Sequence, residues 1–141
     1  MKIISKYITY EEATHSQTAT RKGIKNEPND TELACMQLVA TEVFDVVREH
    51  FNKPLIVSSF YRSLGLNKAV GGAKTSQHMK GQAIDIQGTG FVTNKMIFDY
   101  IKDELNFDQL IWEFGDNKNP AWVHVSYNSK NNNRKQVVYI K

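Results

Sequence analysis

The chain has 141 residues, 40% apolar and 23% charged. That is the composition of an ordinary globular protein, and the length suffices for one hydrophobic core. Its 18 basic and 15 acidic residues leave a net charge of +3, too mild and too evenly spread to argue for nucleic acid as a partner. The single cysteine, Cys35, excludes an internal disulfide and any Cys-rich metal site.

Met1-Lys2-Ile3-Ile4 opens like the basic start of a secretion signal, but Ser5, Lys6 and Thr9 interrupt it before any apolar stretch. No run approaches the ~20 apolar residues of a membrane span. The expectation is a protein made in the cytoplasm, with no membrane span, that acts elsewhere only if released or delivered by other means. Residues 1–30 read as an arm packed on a single domain of residues 1–141. Within the arm, Thr9 and Glu12 fit a capping box that starts a short helix, and Gly23 is its stop. His15 reads as a surface histidine.

Asp30 or Asn29 caps a long helix over residues 31–51. Leu33, Met36, Ala40, Val43, Val47 and Phe51 recur at spacings of three or four, which makes one apolar stripe. Cys35 is expected inside it as a small buried residue. Glu42, Asp45, Arg48 and Glu49 form a solvated face, and His50 sits where the helix dipole favours a cation.

A strand follows over residues 55–61, then a short helix over residues 63–70 closed by Gly71-Gly72. Thr93 caps a second amphipathic helix to about residue 105, with Met96, Ile97, Tyr100 and Ile101 inward. Strands are expected over residues 109–114, 121–127 and 136–140. Two helices and then mainly strands indicate an α+β fold. Its small, mostly antiparallel sheet bears the functional site and packs against the two main helices.

Between these elements lies Ser76-Gln77-His78-Met79-Lys80-Gly81-Gln82-Ala83-Ile84-Asp85. After Gly81 the residues alternate as in a strand. Ile84 and Ile86 take one face, and Ala83, Asp85 and Gln87 the other. A bend at Gly81 would return His78 to the side of Asp85. In Trp122-Val123-His124-Val125-Ser126 the valines share one face and His124 the other. His78, Asp85 and His124 form a two-histidine, one-carboxylate set, the donor number of an open catalytic zinc site. Non-haem iron accepts the same ligand types, and each histidine taken alone also reads as a core residue.

Ser76-x-His78-x-x-Gly81-x-Ala83-x-Asp85, followed by Trp122-Val123-His124-Val125-Ser126, resembles the zinc D-Ala-D-Ala carboxypeptidase family of peptidoglycan peptidases. That family includes the L-alanyl-D-glutamate endolysins of phage and is structurally related to the hedgehog signalling domain. Ser58-Ser59-Phe60-Tyr61-Arg62, Leu66-Asn67-x-Ala69-Val70-Gly71-Gly72 and Leu110-Ile111-Trp112-Glu113 are similar to the phage-type branch. The resemblance implies one zinc ion held by His78, Asp85 and His124. It also implies that Arg62 holds a carboxylate or carbonyl of the peptide, a task suited to its charged planar fork. Ser76 would contact the substrate or support the ligands. The ordinary alternatives are a surface salt bridge for Arg62 and a turn hydroxyl for Ser76.

Some relatives carry a glutamate three residues before the last histidine, where this chain has Ala121. Others carry a histidine two before it, where Trp122 stands. The general base is therefore sought in Glu113, at the end of an apolar strand, where a carboxylate is costly to bury without a use. Asp116 is second, although Gly115-Asp116-Asn117 also reads as a turn. The expected activity is zinc-assisted hydrolysis of D-residue-containing stem or cross-link peptides, by a monomer acting as a phage-type lytic endopeptidase. A D-Ala-D-Ala carboxypeptidase and a non-catalytic, zinc-stabilised wall-peptide-binding module are the alternatives.

Overall fold

The computed structural model describes residues 3–140, so the basic start at Met1-Lys2 lies outside the described residues. Five strands form one sheet: β1 (Ile56–Ser59), β2 (Ala83–Gln87), β3 (Gln109–Glu113), β4 (Trp122–Ser126) and β5 (Gln136–Ile140). Their order is β1-β2-β4-β3-β5. The pairs β1–β2, β2–β4 and β3–β4 are antiparallel, while β5 runs parallel to β3. This is the expected α+β architecture, with one parallel pairing on an otherwise antiparallel sheet.

Alternation decides the two faces. Ile84 lies opposite Val125 and Ile86 opposite Val123, and all four are fully buried. Directly opposed residues share a face, so these pairs make the core side. Asp85 and His124, one position along, necessarily share the other side.

The helices in chain order are α1 (Tyr10–Thr14), α2 (Gln17–Lys22), α3 (residues 30–51), α4 (Leu64–Ala69) and α5 (Asn94–Glu104). The arm holds two helices rather than the single one expected. Thr9 and Glu12 cap α1 as a capping box, but the chain breaks at His15 and Ser16. The Ser16 hydroxyl accepts a bond from Ala19 N–H at 3.2 Å and starts α2. Gly23, at φ 66°, closes it as expected.

Asn29, not Asp30, caps α3, in a reciprocal box with Glu32. The helix is continuous but widens to a π-helical turn over Ala40–Phe44. A π turn carries extra chain and rotates the later residues round the helix axis. Val39 and Phe44 are buried beside Met36, Ala40, Val43 and Val47, so the apolar stripe is broader than the spacing alone gives. Asp45, expected on the solvated face, is instead buried and accepts a hydrogen bond from Ser5 Oγ at 2.8 Å. Burial raises its pKa, against the hydrogen bond from Ser5. Cys35 is half-buried rather than buried. His50 stacks on Tyr100 of α5, ring centroids 3.8 Å apart.

Thr93 caps α5. Its buried residues are Ile97, Phe98 and Ile101, and Tyr100 packs at their edge. Met96, expected inward, is exposed. It occupies the third helical position, where its sulfur turns back to accept a bond from Thr93 N–H at 3.5 Å. Phe98 takes the inward place, edge-on to Trp112. α5 packs on β3 and β4, and α3 packs on β2, which covers the core face and leaves the Asp85 face open. No helix among the described residues is long and apolar enough to cross a membrane.

Candidate active site

The site begins with Gly81. Its φ is 73°, and a Cβ there would lie 2.4 Å from the carbonyl oxygen of Glu32. Only glycine both takes this left-handed conformation cheaply and lets the backbone lie against α3. The bend closes a 3-10 turn, Gln77–Lys80, started by the Ser76 hydroxyl, which accepts from His78 N–H at 3.2 Å. His78 is thereby delivered to β2.

His78 is almost fully buried. Its Nδ1 is 2.6 Å from the carbonyl oxygen of Phe60. A carbonyl can only accept, so Nδ1 carries a proton, and the neutral ring keeps its lone pair at Nε2. That Nε2 is buried without a hydrogen-bond partner. It lies 3.3 Å from Asp85 Oδ2, close but not aligned for a hydrogen bond. On the other side of the carboxylate, His124 Nδ1 lies 3.0 Å from Oδ1. Donor atoms of His78, Asp85 and His124 all fall within 4.8 Å of one another.

Burial by itself would push the Asp85 carboxyl up; the imidazoles of His78 and His124 outweigh it and hold the carboxyl well below its usual range. The site therefore presents a carboxylate and a lone-pair nitrogen to one point. An ionised carboxylate and an unsatisfied buried imidazole nitrogen are what a divalent metal replaces with favourable bonds. His78 buried as a mere core residue would leave Nε2 unsatisfied at a cost.

Glu113 ends β3, opposite Trp122 of β4. Ile111 pairs with His124, so Gln109, Ile111 and Glu113 share the face of the histidine. Burial raises the pKa of the half-buried Glu113 carboxyl, and the charge of Asp85 adds to that, while His124, His78 and Arg62 oppose it. Arg62 approaches from the end of β1. Its Nε is buried with no hydrogen-bond partner, and its Nη2 is 3.5 Å from Ser76 Oγ. Burial lowers its pKa, and Asp85 and Glu113 work against that shift. Ser76 thus serves as a turn hydroxyl for His78 and also meets Arg62.

A cleft of about 670 Å3 brings Arg62, Ser76, His78, Asp85, Glu113 and His124 together. Asp116 does not line it. The Asp116 side chain accepts from the backbone of Lys118 and Asn119 at 2.8 and 2.9 Å, which is turn chemistry. The cleft also includes Gln109, Ile111 and Trp122, to which the motifs assign no role. A signal for them exists, since period-two alternation from Glu113 and from His124 leads to all three.

The family model described as Peptidase M15 matches residues 6–135 of the chain. No curated protein matches it.

Proposed function

The chain belongs to the Peptidase M15 family and is therefore a metallopeptidase; from that premise we propose that it uses zinc to hydrolyse internal bonds of D-residue-containing peptidoglycan peptides. The observation that carries this reading is His78 Nε2, buried without a partner, in a cleft that also holds Glu113 and Arg62. The donor set fits zinc: His78 through Nε2, Asp85 through its carboxylate and His124 through a ring nitrogen are three ligands of the kinds zinc takes at catalytic sites.

Zinc bound there supplies Lewis acidity, polarising a carbonyl oxygen and lowering the pKa of a water to about 7. The rest falls to the protein. The Phe60 carbonyl fixes the His78 tautomer and ring orientation. The Glu113 carboxylate takes the proton of the attacking water and returns it to the leaving amine. Its raised pKa keeps it basic enough to accept that proton and acidic enough to give it up. Arg62 offers its Nη groups to a carbonyl or carboxylate of the peptide, and Ser76 steadies it. The place of Glu113 on the face of the histidines, in the same cleft, favours an enzyme over a non-catalytic module.

The small residues Gly71, Gly72 and Ala73 rim the cleft and leave room for a chain that continues past the scissile bond, which favours an endopeptidase. Gly72 has to be small, since a Cβ there would strike Asn67 Oδ1 at 2.1 Å. The segments 58–62 and 66–72, similar to phage-type enzymes, support a lytic setting. In it a monomer made in the cytoplasm reaches the wall by release or delivery. The test is mass analysis of purified muropeptides after incubation with the protein. Internal cleavage, abolished by a chelator and restored by zinc, is expected. Release of terminal D-alanine alone would make it a carboxypeptidase, and no cleavage with zinc bound would end the peptidase reading.

A further inference from the structure

A second pocket, of about 430 Å3, adjoins the cleft, and Arg62, Val70 and Asp85 line both. Its far wall does not come from the sheet. It is the junction between α1 and α2 with the first turn of α2, and His15, Ser16, Gln17 and Thr18 line the pocket together with Ser58, Ser59 and Arg62.

One buried side chain holds this junction in place. Asn26 is nearly inaccessible. Its Nδ2 donates to the carbonyl of Thr14 at 2.8 Å and to that of Tyr61 at 3.1 Å. Its Oδ1 accepts from Ser63 N–H at 2.7 Å. Tyr61 N–H in turn donates to the carbonyl of Ala13 at 3.0 Å. The residue before His15 and the residues on both sides of Arg62 therefore share a single amide. A fully satisfied buried network of this kind fixes relative position, so the arm wall and Arg62 are registered to each other.

We propose that residues 15–18 of the arm form a substrate-recognition wall. The peptide lies across the metal-binding set with Arg62 at its middle, and its far segment occupies the arm pocket. This rests on the peptidase reading above. The chemistry of the pocket defines what it takes. Apart from Arg62 and Asp85, which belong to the cleft, its lining is hydroxyls, an amide, an imidazole and the aliphatic side chains of Leu66 and Val70. Such a surface suits an uncharged stretch of peptide, with main-chain amides bonded to the arm and small apolar side chains against Leu66 and Val70. Arg62 and Asp85 alone in this lining carry a fixed charge, so a charged segment reaching past them would lose hydration without an ionic partner.

The arm is thus a specificity element of the site, and Asn26 is its positioning residue. The test compares two synthetic D-residue-containing wall peptides, one extended at each end by two uncharged residues. Binding to the zinc-loaded protein is measured by calorimetry, and cleavage separately. In the double variant Gln17→Ala, Thr18→Ala, which alters exposed and half-buried positions, affinity for the extended peptide should fall about tenfold more than affinity for the short one. Equal losses on both peptides, or no loss on either, would overturn the arm wall. A wild-type protein that binds both peptides and cuts neither would sink the peptidase reading, while the difference between the two affinities would still decide the arm.

Discussion

Asp85 and His124 are register partners across β2 and β4, and their side chains meet at 3.0 Å. Sheet pairing, rather than loop geometry, sets this relationship. The neighbouring pairs Ile84 with Val125 and Ile86 with Val123 lock the register from the buried side, because a slip of one residue would expose them. Only His78 arrives from a turn, and that turn is held by Gly81, Ser76 and the Phe60 carbonyl.

If the three donors share a metal, the purified protein should carry about one zinc per chain. His124→Ala should remove most of it, since the remaining pair cannot match a three-ligand site. Elemental analysis decides, and full zinc in that variant would dismiss the assignment.

Glu113→Gln should fold normally and keep its zinc but lose hydrolysis, because an amide cannot accept a water proton. Loss of a general base costs about 10²–10⁴-fold. Turnover near the wild-type rate would move the role to another group.

Gly81→Ala should destabilise the fold and weaken metal binding together. The added methyl meets the Glu32 backbone, at a position already in the left-handed region. A cost of about 1–3 kcal/mol is expected. Urea unfolding with and without zinc measures both effects, and unchanged stability would show that α3 yields at this contact.

A carboxylate outside the metal-binding set should contribute to acid stability. Asp108 is buried and accepts from Arg134 Nε and Nη2 at 3.0 and 2.7 Å and from Gln77 Nε2 at 3.0 Å. The Arg134 hydrogen bonds above all hold its pKa down, against burial. The unfolded chain protonates this group near about pH 3.9, and the folded chain does so only at lower pH. Its stabilisation is therefore present above the unfolded pKa and fades as pH falls through the folded one. Arg134→Met should lower the urea midpoint at pH 6, and the gap from wild type should shrink at pH 3. A constant gap would show that Arg134 acts through packing alone.

The motif around His78 is legible in the sequence because glycine at the bend and alternation after it are both local signals. The valines flanking His124 give its face in the same way. The π turn in α3 leaves no mark in the spacing, so periodicity alone puts Asp45 on the solvated side. Met96 and Phe98 exchange places because the periodicity fits either near a helix start, and the cap decides. The parallel pairing of β5 with β3 and the bond from Asn26 to Thr14 and Tyr61 join residues far apart in the chain. Only the 12-residue separation of Thr14 and Asn26 fits within a sequence window, and the other partners do not. His15 reads as a surface residue and is exposed; only the fold shows that it lines one pocket with Arg62.

Arg62 separates endopeptidase from carboxypeptidase action. An arginine that reads a terminal carboxylate needs no room for chain beyond it. Here Arg62 lines two adjoining pockets, so space continues on either side of it. Its guanidinium, which lines both, is then a donor for an internal carbonyl. Amidating the end of a wall peptide should consequently change cleavage little. Arg62→Ala should weaken it about ten- to a hundredfold on free and amidated peptides alike, the worth of a charged hydrogen bond. Parallel assays on one peptide with both kinds of end would decide. Activity confined to the free-ended peptide, and lost on it in Arg62→Ala, would mean that the guanidinium reads a terminal carboxylate and that the enzyme trims chain ends.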